Sequence, residues 1–423
     1  MKSRLLLFLT TLLAAFGPFH LAHAQPVTFQ SGSDGSDGAL NVTNHTTLQV
    51  PPDGVFNFTT ITINPGYYLY FMRNAANTPV YLLATGDVNI AGYIDVTGGN
   101  ATQSLPGKGG PGGFSGGVAG TDSSFPGEGL GPGGGKVGNH GNFHAGGEDT
   151  QNKRNLSGGG SYGAVPTDVY GANFYSPTYG NSLLIPLIGG SGGAGAVYSA
   201  ALATANGAGG GGGGAILVAS NTKITMNGDI MAHGGQGWGY LYSNGSYTGD
   251  KGQVGSGGAV RLVAPTILGT GRIYAGGQTT TSNFGGAGRI RLDCIVHSTP
   301  TLTFSGGLVT MGSNPFIFPT GSSPSLRLKS VAGTNVPAGT TTTYMVTLPP
   351  GSPATQPVTV EASNFGGSFS YIVKVVPERG SSTQYEGTVN NGATNPATST
   401  INVIFPLNSP SQVYVWAKQL VTP

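Results

Sequence analysis

Four stretches of this chain share one outline: Val80-Tyr-Leu-Leu-Ala running to Gly98-Gly99, Ala215-Ile-Leu-Val-Ala to Gly234-Gly235, Ala259-Val-Arg-Leu-Val-Ala to Gly276-Gly277, and Gly288-Arg-Ile-Arg-Leu-Asp to Gly306-Gly307. Each reads as two short alternating strands joined by a turn. A unit of that size cannot bury its own apolar face, so the copies must stack on one another. Residues 55–71 read as an earlier, divergent copy, with alternation at Ile61-Thr-Ile63, a turn at Pro65-Gly66 and alternation again at Leu69-Tyr-Phe71.

Aligned on their first strands, the four copies put Leu82, Leu217, Leu262 and Leu292 in one column, and Ala84, Ala219, Ala264 and Cys294 in another two residues later. A period of two sets both columns on one face, and their apolar content makes that face the interior. A second set follows: Ile94 and Val96, Ile230 and Ala232, Ile273 and Ala275, Leu302 and Phe304. Stacked rung on rung about 4.8 Å apart, these features predict an all-β fold, a parallel β-solenoid (β-helix) over 55–322 behind an N-terminal segment or cap at 25–54. Beyond Pro324, short runs at 325–331, 341–348, 357–362, 369–376, 399–405 and 412–417 predict an immunoglobulin-like antiparallel β-sandwich over 323–423. It lacks the Cys…Trp…Cys spacing of antibody domains, because Cys294 lies outside it and Trp416 falls in its last strand.

Between the copies lie glycine-rich insertions at 100–214, 237–258 and 278–287, which hold much of the chain's 76 glycines. Glycine has the most backbone entropy to lose, which favours flexible loops. Against that stand Phe114, Phe125, Phe143, Phe174, Tyr175 and the run from Leu183 to Ile188, since disordered linkers are poor in such residues. The expectation is an ordered bundle of polyproline-II-like helices packed closely for want of side chains. No strict Gly-X-Y period is present, which excludes a collagen triple helix.

Lys2 and Arg4, an apolar run from Leu5 to Phe16 and Ala22-His-Ala24 read as a secretory signal peptide over 1–24, with the mature chain starting at Gln25. That run is too short to span a bilayer and no transmembrane segment is expected in the mature chain. Removing Lys2 and Arg4 leaves sixteen basic residues against 16 acidic ones, so the formal charge of +2 belongs to the leader and nucleic acid is not an expected partner. One cysteine, Cys294, excludes an intrachain disulfide framework and a cysteine-based zinc cluster.

The segments Ser31-Gly-Ser-Asp-Gly-Ser-Asp-Gly-Ala-Leu40, Pro51-Pro-Asp-Gly-Val-Phe-Asn-Phe-Thr-Thr-Ile61 and Arg73-Asn-Ala-Ala-Asn-Thr-Pro-Val-Tyr-Leu-Leu-Ala-Thr-Gly-Asp87 resemble a group of secreted, glycine-rich bacterial proteins. The resemblance implies an exported, solenoid-like protein and carries no activity. In composition alone, the insertions are similar to the polyglycine-helix bundles of some phage tail adhesins.

Many extracellular solenoids cleave polysaccharides, which needs carboxylates converging on the sugar. Asp87, Asp95, Asp229 and Asp293 do not share a column: Asp95 aligns with Met231 and Tyr274, Asp229 with Tyr93 and Arg272. The expected binding residues are Trp238, Tyr240, Tyr242 and Tyr247, aromatics spaced by glycines as if displayed at a loop tip. Arg261 and Arg291, with Arg272 and Arg289 nearby, form a basic stripe that could hold an anionic polymer or simply keep an exposed sheet face soluble. No cofactor or metal is expected. The nearest metal candidates are His140 and His144, beside Glu148 and Asp149, and for calcium Asp34 and Asp37, although Asp-Gly also simply makes turns. Together these readings point to a secreted, non-enzymatic adhesin or extracellular-matrix protein of the cell surface, with a glycan or cell-surface polymer as partner. A polysaccharide-active enzyme or carbohydrate-binding module, and a self-associating fibre subunit, stand as alternatives.

Overall fold

The computed structural model describes residues 29–121, 125–137, 157–166, 175–196, 207–239, 252–277, 285–294, 301–314, 316–318, 324–338 and 344–418. These residues are all-β, hold no helix and form both parallel and antiparallel sheets.

The chain runs through β1 (Ala39–Val42) and β2 (Thr46–Gln49), then β3 (Val55–Phe58), β4 (Thr60–Ile63) and β5 (Tyr68–Met72), then β6 (Val80–Ala84), β7 (Val88–Ile90) and β8 (Tyr93–Asp95). It continues with β9 (Ala215–Ser220), β10 (Lys223–Met226) and β11 (Asp229–Met231), then β12 (Ala259–Ala264), β13 (Thr266–Leu268) and β14 (Arg272–Tyr274), and ends this part with β15 (Gly288–Cys294), β16 (Thr303–Ser305) and β17 (Gly307–Gly312). From β1 to β15 successive strands rotate through three sheets, and β16 and β17 then fall in the third and the first. The first sheet is β3-β6-β9-β12-β15-β17, the second β1-β4-β7-β10-β13 and the third β2-β5-β8-β11-β14-β16. Every pairing within them is parallel.

The inner faces of the three sheets meet in one apolar core that contains Leu82, Val218, Leu262 and Leu292 from the first sheet, Ile61, Val88, Ile224 and Ile267 from the second and Leu69, Ile94, Ile230 and Ile273 from the third. Glycine sets one corner. Asp229 N donates to Gly92 O (3.0 Å), Arg272 N to Gly228 O (3.1 Å) and Thr303 N to Gly271 O (3.0 Å), so these glycines follow one another across successive strands. A Cβ on Gly228 would sit 1.8 Å from Gly92 O, and one on Gly271 2.1 Å from Gly228 O.

Two alignments made on the sequence are corrected by the register. Leu262 does pair with Leu292, but it pairs with Val218 and not Leu217, and Leu82 also pairs with Val218. The interior columns are therefore Leu82, Val218, Leu262, Leu292 and Ala84, Ser220, Ala264, Cys294. Leu217 faces the other side, because β9 is buried on both faces and its apolar run carries no alternation to fix the register. In the third sheet Phe304, rather than Leu302, pairs with Ile273.

What buries the outer face of the first sheet is the glycine-rich chain. Tyr162, Leu184 and Leu187 pack there on Leu83, Ala215, Leu217, Ala219 and Val263. The insertions themselves are hydrogen-bonded with a three-residue repeat. Gly209 and Gly212 donate to Gly117 and Phe114, Gly210 and Gly213 to Gln253 and Ser256, and Gly211 and Gly214 to Gly99 and Val96, all at 2.7–3.0 Å. The carbonyls repeat the pattern, Gly209 and Gly212 accepting from Gly107 and Gly110, Gly210 and Gly213 from Gly193 and Gly190. No side chain fits inside: a Cβ on Gly209, Gly210, Gly211 or Gly212 would lie 2.0–2.1 Å from a neighbouring carbonyl oxygen.

The C-terminal part holds β18 (Ser325–Val331), β19 (Thr334–Asn335), β20 (Thr355–Ser363), β21 (Ser368–Pro377), β22 (Thr383–Asn390), β23 (Ala397–Ile404) and β24 (Ser411–Ala417). They form antiparallel sheets β19-β18-β20-β23 and β22-β21-β24 around a core that includes Val358, Val360, Tyr371, Val373, Val389 and Val403. The strand expected over 341–348 is not formed at 344–348, where Tyr344 and Met345 are exposed; β22, whose outer residues are polar, was not foreseen.

Candidate functional site

The sequence candidates lie in quite different surroundings. Tyr240, Tyr242 and Tyr247, like His140 and His144, lie outside the described residues. Trp238 is half-buried, with its backbone tied into the glycine network by Trp238 N to Ala208 O and Gly252 N to Trp238 O, both 3.0 Å. Asp34 Oδ1 accepts from Ser36 N at 2.9 Å, and that turn holds its carboxyl below the usual range. Asp37 Oδ2 accepts from Asn57 N at 2.6 Å, which closes the edge of β3. Among the described residues, no three His, Cys, Asp or Glu side chains are grouped to hold a metal ion. No helix among them is long and apolar enough to cross a membrane.

The basic stripe is not an exposed face. Arg261 and Arg291 do share a column, yet both are buried and close on Asp293, and Arg261 Nη2 also donates to Asn314 O at 3.1 Å. Arg289 donates to Tyr179 O at 3.0 and 3.2 Å and lies over the Tyr162 ring at 5.5 Å. Arg272 is the solvent-facing member, paired to Asp229 through Nε–Oδ1 at 3.0 Å and Nη2–Oδ2 at 2.8 Å. A chain segment distant in sequence supplies the cover, so the strand pattern alone could not reveal it.

An ordered aromatic surface lies elsewhere, on the outer face of the third sheet. Tyr68 and Tyr70 alternate with inward Leu69 and Phe71 on β5, Tyr93 and Asp95 flank Ile94 on β8, Asp229 and Met231 flank Ile230 on β11, and Arg272 and Tyr274 flank Ile273 on β14. Register then builds two rows across the sheet, Tyr68–Tyr93–Asp229–Arg272 and Tyr70–Asp95–Met231–Tyr274. From β5 to β14 the rows span three inter-strand steps, about 14 Å.

The rings are held in place by one another. Tyr68 stacks on Tyr93 at 4.4 Å and on Tyr70 at 5.4 Å, and His45 lies 5.4 Å from Tyr68 and accepts its N–H at Nδ1 (3.2 Å). Stacked rings spend much of their faces on each other and turn edges outward; Tyr67 and Tyr70 remain 37% exposed. At the other end Arg272 lies 5.5 Å over Tyr274, with His233 5.3 Å away. Partial burial, then the charge of Asp95 and the neighbouring Tyr68, raise the Tyr70 phenol. Burial lowers His233, against the pull of the Gly276 carbonyl and Asp95. Asp95 Oδ1 accepts from Thr97 N at 2.8 Å, and both Asp229 oxygens are taken by Arg272. The face therefore offers apolar ring surface beside phenols and fixed charges, a combination suited to a polyhydroxylated chain. The sequence signal was present in the tyrosines that alternate with core positions at 68, 70, 93 and 274.

A second concavity of ≈ 370 Å³ lies where the glycine-rich chain meets the antiparallel sheets, lined in part by Pro106, Ser115, Glu128, Glu378 and Gln412. Glu128 is buried there and raised by that burial; it accepts a hydrogen bond from Ser382, and the charge of Lys374 acts in the opposite sense. Lys374 donates to Gly131 O at 3.3 Å and Arg379 to Ala119 O and Phe125 O at 3.1 and 3.2 Å, so these groups fasten the two parts together.

No protein-family model matches the chain, and no match was found among curated proteins or solved structures.

Proposed function

We propose that this is a secreted, non-enzymatic adhesive or matrix protein that holds an extended glycan along the outer face of the third parallel sheet. In this reading residues 39–312 form a three-sided parallel β-solenoid, the insertions form polyproline-II-like glycine helices against one side, and residues 325–417 form an immunoglobulin-like sandwich. The rotation of β1 to β15 through three sheets supports the first element, and the three-residue hydrogen-bond repeat supports the second. A core shared by two antiparallel sheets supports the third. Export rests on the leader at 1–24, and the likeness to secreted glycine-rich bacterial proteins agrees with it.

The observation that carries the binding reading is the pair of rows that set Tyr68, Tyr70, Tyr93 and Tyr274 on the outer face of the third sheet, while β9 and β12 of the first sheet are buried on both faces. A rigid sheet presents such a row without an ordering cost on binding. The test is a polysaccharide array probed with residues 25–423 and with a Tyr70→Ser/Tyr93→Ser variant. Binding by the first and its loss in the second is the expected result; equal binding by both removes the face from the account.

An enzymatic reading has one foothold, the raised Glu128 beside Glu378 in the junction cleft. New reducing ends released from a polysaccharide, and abolished by Glu128→Gln, would favour it.

A further inference from the structure

We infer that two copies of this protein join through β17, C-terminal end against C-terminal end, in a closed two-fold pair. β17 is the last strand of the first sheet and, among the described residues, pairs with β15 alone. Its sequence, Gly-Leu-Val-Thr-Met-Gly, carries no charge and no proline. Those are the devices by which proteins blunt a free strand edge.

The strand's side chains are also uncovered. Val309 pairs with Ile290 and Met311 with Leu292, so both stand in interior columns. One rung earlier those columns are sealed, with Ile290 at 0% and Leu292 at 1% exposure, yet Val309 is 37% and Met311 55% exposed. Nothing described stands above them. After β17 the chain turns away, Ile317 entering the cluster outside the first sheet and Phe318 lying 4.9 Å from Tyr81. The antiparallel sheets fasten to the glycine-rich chain through Lys374, Arg379 and Gly380 and do not cover this end.

The surface that normally covers such columns is another rung of the same kind, which identifies the occupant as a second copy. The opposite end of the coil cannot provide it. There Val42, Val50, Phe56 and Phe58 are all buried, and the β3 edge is already bonded by Asp37 N to Asn57 O (2.8 Å), Asn57 N to Asp37 Oδ2 (2.6 Å) and Thr59 N to Gly38 O (2.7 Å). The exposed residues of β1 and β2 are Ala39, Asn41, Thr47 and Gln49, and Leu40 and Leu48 are partly buried against the core. Among the described residues, an edge strand whose interior-column apolar side chains are more than a third exposed thus exists at one end only. Two like ends meeting by antiparallel β17–β17 pairing form an isologous contact, which closes at two copies, whereas a head-to-tail contact would grow into a fibre.

The test is sedimentation equilibrium on residues 25–423 beside Met311→Lys and Val309→Glu variants, with thermal melts to establish that the variants fold. A dimer for the natural sequence and monomers for folded variants are expected. Amide exchange in β17 provides a reading that needs no variant: its amides should slow as protein concentration rises. A monomer at every concentration, a dimer unaffected by either substitution, open-ended polymers, or β17 exchange independent of concentration would each overturn the inference.

Discussion

Arg261 closes on Asp293 with both Nε and Nη2 on Oδ2, at 3.0 and 2.9 Å, between side chains only 0% and 1% exposed. Arg291 takes the other oxygen at 2.9 and 2.7 Å, and Asn314 N adds a bond to it at 3.0 Å. Two buried cations therefore share one anion. Burial pulls Arg261 below its ordinary value, with the Asp293 charge acting against it.

Removing the shared anion should be far more damaging than removing an exposed partner. Asp293→Asn is expected to destabilise the parallel-sheet part by about 3–5 kcal/mol, the cost of stranding buried charge. Arg272→Gln, at a side chain 55% exposed, should cost far less, because exposed ion pairs are screened by solvent. Urea midpoints check both, and similar values for the two would contradict the burial argument.

Two kinds of glycine are distinguished by what surrounds them. Gly211 has no room, since a Cβ would lie 2.1 Å from Lys108 O, whereas Gly38 has φ +70° and open space around it. Gly211→Ala should cost about 3 kcal/mol or more, because several packed segments must part. Gly38→Ala should cost about 1–2 kcal/mol for the left-handed backbone. Thermal denaturation of the two variants measures the gap.

Lys374 ties the antiparallel sheets to the glycine-rich chain, and burial lowers it from 10.5 to about 8, against the pull of Glu128 and with Lys136 adding to the depression. Its folded value lies below the unfolded one, so this stability is present in full above the unfolded value and is lost as pH falls toward about 8. Glu128 is shifted the other way, upward from 4.5 by burial, so its contribution is present below the unfolded value and lost as pH rises. Melting should therefore strengthen between about pH 8 and about pH 9.5, by about 2 kcal/mol. Lys374→Met should flatten that rise, and an unchanged slope in the variant would contradict the assignment.

Much of the parallel strand pairing was legible because core residues at Ile94, Ile230 and Ile273 alternate with polar or aromatic ones. Legibility failed where a strand is buried twice. At β9 the outer face is as apolar as the inner, and the reading slipped one residue to Leu217. Arg261 and Arg291 are buried rather than exposed because both close on Asp293, with Asn314 from beyond β17 bonded to Arg261 and Asp293, contacts that no strand pattern encodes. The tyrosine face was missed for a simpler reason: Tyr93 and Tyr274 were placed in the right columns, but binding residues were sought at a loop tip.

The most direct test of that face is hydroxyl-radical footprinting of residues 25–423 with the polysaccharide selected on the array. Protection of Tyr68, Tyr70, Tyr93 and Tyr274, with Trp238 unchanged, is the predicted result. Protection confined to Trp238, or found at none of these tyrosines, would contradict the account.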